Sequence, residues 1–207
     1  NSHIRRSSRF YSRSTIFNCI LERYLLYLKN KSIMPTNAPS VLVEARRSIP
    51  NGVNIVIRDV RIARHFVEFD VSVLEQGILD RIVIKALSTI ADFDRYEMIT
   101  EERLSKEEAL DRSRELFNDE RYWKCHEVLE NIWKQSEGEE KRLLNGIILV
   151  AAAFVHFQKG ENQTCLSILR RAHGKIEFCT GEYYRIKIDL LKDTVRKIID
   201  TGTIISP

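Results

Sequence analysis

The sequence predicts an α+β protein with two domains, a small sheet domain followed by a bundle of helices. Apolar residues alternate with polar ones over short segments before residue 100, and they recur at helical spacing after residue 105. Turn residues separate these segments. The chain has 207 residues, 43% of them hydrophobic and 30% charged, so it is long enough to bury two small cores.

The first part of the chain alternates strands and helices in the order βαββαβ. The segments are a strand at 23–29, a short helix at 40–48, strands at 53–62 and 66–73, an amphipathic helix at 76–90 and a last strand at 93–100. The inward alternation of the second strand shifts near Arg58 and Asp59, which predicts a β-bulge. This order is typical of the ferredoxin-like fold, in which two helices pack on one face of a four-stranded antiparallel sheet.

The second part of the chain reads as helices only. Ser105 and Glu108 form a capping box at its start. The predicted helices cover residues 106–118, 120–135, 139–159, 162–179 and 182–201. The third is apolar almost all round, so we expect it to be central. The predicted division is a basic extension over 1–21, a ferredoxin-like domain over 22–102 and a helical bundle domain over 103–207.

The net charge of +4 hides an uneven distribution along the chain. Residues 1–64 contain twelve Lys and Arg against three Asp and Glu, whereas residues 65–207 contain twenty-one against twenty-six. The basic extension fits a poorly ordered segment, a nucleic-acid or membrane-surface arm, or an organelle presequence. Association with nucleic acid through the basic half is therefore one alternative function.

The open face of the predicted sheet argues against RNA binding. RNA-recognition domains of this fold stack bases on aromatic residues of the sheet, but here the third strand places Glu68 and Asp70 on that face. We expect these carboxylates to pair with Arg58, Arg61 or Arg64 and to form a solvated, salt-bridged surface. A small molecule or a protein is the partner that the sequence favours over nucleic acid, and it leaves open whether the chain forms a homo-oligomer.

The apolar and cysteine patterns indicate a cytoplasmic protein. The longest apolar run, 147–157, is about half of the roughly 20 residues that a membrane-spanning helix needs, so no membrane segment is predicted. The four cysteines form no CxxC pair and are expected to be free thiols. No phosphate-binding glycine loop, dinucleotide fingerprint or nucleophile elbow occurs in the sequence.

One helix carries the candidate functional residues. His126 and Glu130 are four residues apart, with Trp133 on nearly the same line, beside an apolar stripe. The spacing is similar to the HExxH zinc-protease helix, with a carboxylate in place of the second histidine. His126, Glu130 and His156 are thus candidate ligands for zinc, iron or manganese, with Glu127 as a candidate catalytic base.

The same residues allow two other interpretations. Glu130 could accept a hydrogen bond from His126 or His156 in a buried structural network, with the tryptophans as core residues. Alternatively, Tyr122, Trp123 and Trp133 could line a pocket for a small polar molecule near His156. Whether the protein is an enzyme stays open, and a protein-interaction scaffold is a further alternative.

Several of these residues also resemble a known family. The chain is similar to the domain-of-unknown-function 309 family over about residues 106–175. The residues that carry this resemblance are the segment 116–118, Tyr122, the run 126–130 with Trp133, and the helix that holds Gly146 and His156. The resemblance implies a compact helical bundle and no established activity. The front half resembles an extension found on archaeal members of this family.

Overall fold

The structure is a computed structural model in which residues 21–204 are described. Most of the predicted basic extension, together with Cys19, lies outside the described residues. Within residues 21–204, no helix combines the length and the apolar character needed to cross a membrane. Cys125, Cys165 and Cys179 are free thiols, as predicted.

The first part of the chain forms a four-stranded sheet with helices. Its strands are β1 (Glu22–Lys29), β2 (Ile55–Ile62), β3 (Phe66–Val73) and β4 (Phe93–Met98), in the order β2-β3-β1-β4 with every neighbouring pair antiparallel. The predicted bulge is confirmed, because the β2–β3 register shifts between Ile57 and Asp59. The predicted mixture of a sheet with helices, followed by helices, is confirmed.

Helical segments cover one face of this sheet. A 3₁₀ turn (Pro35–Asn37) leads into α1 (Ala38–Ser48). The predicted second helix is composite, with α2 (Gln76–Ile78), a π-helical turn (Leu79–Val83) and α3 (Ile84–Leu87). These segments bury a core against the alternate apolar side chains of the strands, including Leu26, Phe69 and Val71.

The second part of the chain is a helical bundle. Its helices are α4 (Lys106–Asn118), α5 (Tyr122–Gln135), α6 (Gly138–Gln158), α7 (Asn162–Ile176) and α8 (Ile188–Thr201). The Ser105–Glu108 capping box is present. The predicted central helix is confirmed, because α6 packs against both α5 and α7.

A small hairpin precedes α8, so the helix predicted over residues 182–201 is wrong at its start. The hairpin consists of β5 (Glu182–Tyr183) and β6 (Ile186–Lys187). Its two-residue turn has left-handed backbone at Tyr184 (φ 46°) and Arg185 (φ 63°). Because such turns usually contain Gly, Asn or Asp, this pair gives no hairpin signal in the sequence.

The second face of the sheet is buried against α5, so the expected solvated surface is wrong. Glu68 pairs with Arg61 as expected, whereas the nearest partner of Asp70 is Arg23 of β1, with Arg23 Nη2 2.5 Å from Asp70 Oδ2. However, the side chains of Arg61 and Glu68 are each only 2% exposed. The Trp123 ring of α5 covers the cluster, with its centroid 5.0 Å from the Arg23 guanidinium carbon and 5.2 Å from that of Arg61.

Further polar contacts join the two parts of the chain around this cluster. Lys159 Nζ lies 3.1 Å from Asp59 Oδ2 on β2. The backbone amide of Arg64 donates a 2.8 Å hydrogen bond to the Glu120 side chain. Within the bundle, Gln158 holds Glu120 in place by donating a hydrogen bond to its carbonyl. The sheet and the bundle therefore meet through a largely ionic and hydrogen-bonded interface.

The ion cluster yields a prediction for Glu68→Gln. Loss of the carboxylate charge would leave the buried Arg61 guanidinium with only its longer ion pairs, to Asp59 (3.8 Å) and Asp70 (4.0 Å). Breaking a buried ion pair typically costs about 3–5 kcal/mol of unfolding free energy, which urea denaturation would measure. The control is Glu44→Gln, exposed on α1, which should change stability by less than about 0.5 kcal/mol. Equal stability of the two variants would contradict the role of the cluster.

The contact between α6 and α7 yields a second prediction. A Cβ at Gly146 would lie 2.3 Å from Ile176 Cγ2, so Gly146→Ala should push the helices apart and lower stability by about 1–3 kcal/mol. Gly174 on α7 has nothing within 4 Å of its Cβ position. Gly174→Ala should therefore raise stability by about 0.5–1 kcal/mol. Thermal unfolding of both variants would check the opposite signs.

Candidate functional site

The predicted site residues of α5 lie close together but are not a buried network. His126 Nδ1 is 3.4 Å from Glu127 Oε1, and His126 Nε2 is 3.8 Å from Glu130 Oε1. The second distance is longer than a hydrogen bond. The Glu130 side chain is 37% exposed and also lies 3.8 Å from Lys134 Nζ. The expected buried His–Glu hydrogen bond is therefore not formed.

His156 has a different set of partners. Its Nδ1 contacts the Glu161 carboxylate just beyond the end of α6. Glu161 also lies 3.6 Å from Lys159, the lysine that reaches Asp59 on the sheet. His156 thus belongs to the end of α6 and to the contact between bundle and sheet.

The predicted metal ligands His126, Glu130 and His156 are not assembled. Among residues 21–204, no group of three or more His, Cys, Asp or Glu side chains is placed to hold a metal ion. The physical reason is that helical spacing brings His126 and Glu130 together on α5, whereas the packing of α6 directs His156 to Glu161. The sequence spacing could therefore predict the proximity of His126 and Glu130, but not the position of His156.

The three aromatic candidates have separate environments. Tyr122 is buried in the bundle core, where it stacks on Phe154 with ring centroids 5.0 Å apart. Trp133 is half-buried, and the Lys141 ammonium lies 5.0 Å from the centroid of its ring. Trp123 alone both touches the sheet and lines a cleft.

This cleft lies between α5 and the segment of residues 99–106 that joins the sheet to the bundle. Its volume is about 460 Å³, which is within the usual range for small-molecule sites. Trp123, Glu127 and Glu130 line it, so three of the predicted residues share one site. The acidic residues of its walls are Glu97, Glu101, Glu102, Glu127, Glu130 and Glu140, and the basic ones are Lys106, Lys124 and Lys134.

Glu97 is held at the inner end of the cleft. Arg121 contacts its Oε1, Tyr27 donates a 3.1 Å hydrogen bond to it, and Lys124 Nζ lies 3.5 Å away. Burial favours the neutral acid, but the charges of Arg121 and Lys124 outweigh it, so the pKa of Glu97 lies below its ordinary value. Burial raises the pKa of Tyr27 well above its usual range, so this phenol stays protonated.

Glu127 is ionised for a related reason. A hydrogen bond from His126 lowers the pKa of Glu127, burial opposes this effect, and the charges of His126 and Arg23 add to the lowering. Its side chain is half exposed at the cleft. An ionised, accessible carboxylate can hold a cationic group of a ligand.

Sequence reasoning missed the far wall of the cleft. The periodicity assigns Glu97, Glu101 and Glu102 only to the last strand and the domain boundary, and it does not single out Lys124. Lys124 Nζ lies 3.0 Å from Glu102 Oε1 and so connects α5 with the linking segment. The only available signal was the acidic character of the boundary segment itself.

The fold and the cleft define a protein in which a helical bundle is joined to a four-stranded sheet through an ionic interface. Residues 110–168 match the family described as "Domain of unknown function (DUF309)". The resemblance to this family is thus confirmed over residues 110–168.

A solved structure and the curated proteins complete the comparisons. The chain is similar to a conserved hypothetical protein, TTHA0068 from Thermus thermophilus, a crystal structure with which it shares 32% sequence identity. The similarity covers 44% of this chain and 95% of that chain, with a TM-score of 0.40. No curated protein matches the chain.

The depressed pKa of Glu97 predicts a specific acid sensitivity. A carboxylate with a lowered folded-state pKa stabilises the fold above its ordinary pKa of 4.5, and this contribution is lost as the pH falls through the folded-state value. The unfolding free energy of wild type should therefore fall more steeply below about pH 4.5 than that of Glu97→Gln. Denaturation at several pH values would measure both slopes, and Glu44→Gln should keep the wild-type slope. Identical slopes for wild type and Glu97→Gln would contradict the prediction.

Proposed function

We propose that the cleft between α5 and residues 99–106 binds a small cationic molecule, such as one that carries aliphatic amines. The charge of the walls carries this proposal, because six glutamates stand against three lysines. A cleft dominated by one sign of charge concentrates ligands of the opposite sign. Lys124 pairs with Glu97 and Glu102, and Lys106 pairs with Glu140. These pairs leave Glu101, Glu127 and Glu130 facing Lys134 alone, so the excess of negative charge is on that part of the walls.

Glu127 is the expected anchor for the ligand. It is an ionised carboxylate of α5 at the cleft, and the neighbours that lower its pKa are His126, Arg23 and Lys134. The Trp123 ring, which also lines the cleft, offers apolar surface to the carbon chain of an amine. The proposal gives Glu127 a binding role, while its role as a catalytic base remains a prediction.

The domain organisation supports a cleft of this kind. We propose that residues 22–102 form a ferredoxin-like domain of the type that precedes the helical domain in archaeal members, with the bundle over 103–207. The strand order β2-β3-β1-β4, with helical segments between β1 and β2 and between β3 and β4, supports this topology. Ligand sites commonly lie where two domains meet.

Titration calorimetry with spermidine and with succinate tests the proposal. Spermidine should bind and succinate should not, and added salt should weaken the binding because the cleft is open to solvent. Glu127→Gln should weaken spermidine binding about tenfold, since it removes one charge-assisted contact. Glu44→Gln is the matched control, with an exposed carboxylate on α1 that is not part of the cleft walls, and should bind as wild type does.

Two results would contradict the proposal. One is equal binding of spermidine and succinate, and the other is unchanged spermidine affinity in Glu127→Gln. If neither spermidine nor succinate binds, that result would also contradict the proposal and would favour the alternative of a non-catalytic interaction scaffold.

A further inference from the structure

A second cavity, open to solvent on one side, lies between the helices of the bundle, on the other side of α5 from the acidic cleft. It is bounded by α4, α5 and α6 on one side, and by the hairpin and α8 on the other. Its volume is about 290 Å³, roughly twice that of a ~150 Å³ cavity known to bind benzene. This space can hold a molecule larger than one aromatic ring.

The deep walls of this cavity are apolar. Cys125 and Leu129 of α5, Phe154 of α6 and Val195 of α8 line it, and each is at most 1% exposed. Burial raises the pKa of the Cys125 thiol to about 12, so this cysteine is a neutral, apolar wall residue. Such walls bind the hydrocarbon part of a ligand through the hydrophobic effect.

The mouth of the cavity is cationic. Arg114 of α4 and Arg185 and Lys187 of the hairpin line it, and no lining residue among those described is acidic. Asp111, outside the lining, lies 3.5 Å from Arg114 and 3.1 Å from Arg185, so one carboxylate is shared by two of the three cations. A net positive charge is left at the mouth, opposite in sign to the cleft described above.

Two features of this mouth favour the binding of an anion. The Nε atom of Arg114 is buried and has no hydrogen-bond partner among the described residues, which leaves a charged donor unsatisfied. Arg185 has left-handed backbone (φ 63°) in the hairpin turn, a conformation that costs a non-glycine residue energy and is often retained near binding sites. Its side chain is 63% exposed and can reach a ligand at the entrance.

We infer that this cavity binds an amphipathic carboxylate, with an aliphatic chain among the buried side chains and the carboxylate at Arg114, Arg185 and Lys187. The apolar depth selects the chain, and the cationic mouth selects the charge of the head group. The family match covers residues 110–168, whereas α8 and the hairpin, which form one side of the cavity, lie outside it. The cavity is therefore lined both by helices within the family match and by a segment beyond it. The inference is independent of the amine site.

Titration calorimetry of the full chain with decanoate, decanol and decylamine tests the inference. Decanoate should bind with the highest affinity and decylamine with the lowest. Arg185→Gln should weaken decanoate binding about tenfold and leave decanol binding within about twofold, since only the charge-assisted contact is lost. Arg112→Gln is the charge control, because Arg112 lies on α4 outside the lining and pairs with Glu115.

A second pair of variants tests the location. Thr194→Phe would place a ring in the cavity from α8, and should reduce decanoate binding at least about tenfold by occluding the space. Thr201→Phe makes the same change at the exposed end of α8 and should bind as wild type does. Circular dichroism would verify that both variants are folded.

Three results would overturn the inference. They are no decanoate binding by wild type, equal affinity for decanoate and decylamine, and unchanged decanoate affinity in a folded Thr194→Phe variant. Spermidine binding at the acidic cleft should be unaffected by Thr194→Phe, so failure at one site is distinguishable from failure at the other.

Discussion

Charged side chains on a sheet can be buried only where other groups pair with them and cover them. In this protein Arg61, Glu68 and Asp70 pair with one another and with Arg23, and the Trp123 ring lies over the guanidinium groups. This arrangement seats α5 on the sheet. Such clusters are costly to desolvate, so they fix geometry more than they add stability.

The position of α5 then decides where both cavities lie. The start of the helix is held on the sheet by Trp123 and by Arg121, which binds Glu97. Consequently its outward residues, including Glu127 and Lys124, face the linking segment and form the acidic cleft. The opposite side of α5, with Cys125 and Leu129, faces the bundle and the cavity with the cationic mouth. One helix thus separates an acidic cleft from a cavity with a cationic mouth.

Local patterns were enough to predict most of the elements. The alternation in β3 and the capping box at Ser105 each placed an element correctly, because both depend on residues near in sequence. The hairpin at Tyr184 and Arg185 escaped prediction because its turn uses residues that rarely adopt left-handed backbone. Of the residues that line the cleft, Trp123, Glu127 and Glu130 were among the candidates from the sequence, but Glu97, Glu101 and Glu102 were not, because they reach the cleft only through the packing of α5 on the sheet.

The sequence by itself determined the order of strands and helices apart from the β5–β6 hairpin, the bulge in β2, the central position of α6 and the grouping of ionisable residues on α5. These follow from periodicity, which acts over a few residues. Only the tertiary structure decided that the charged sheet face is buried, that His156 joins Glu161 rather than His126, and that the linking segment completes the cleft. Each of these outcomes depends on which surfaces pack against one another and exclude water. That packing is made by residues that are distant in the chain, so local sequence patterns do not predict it.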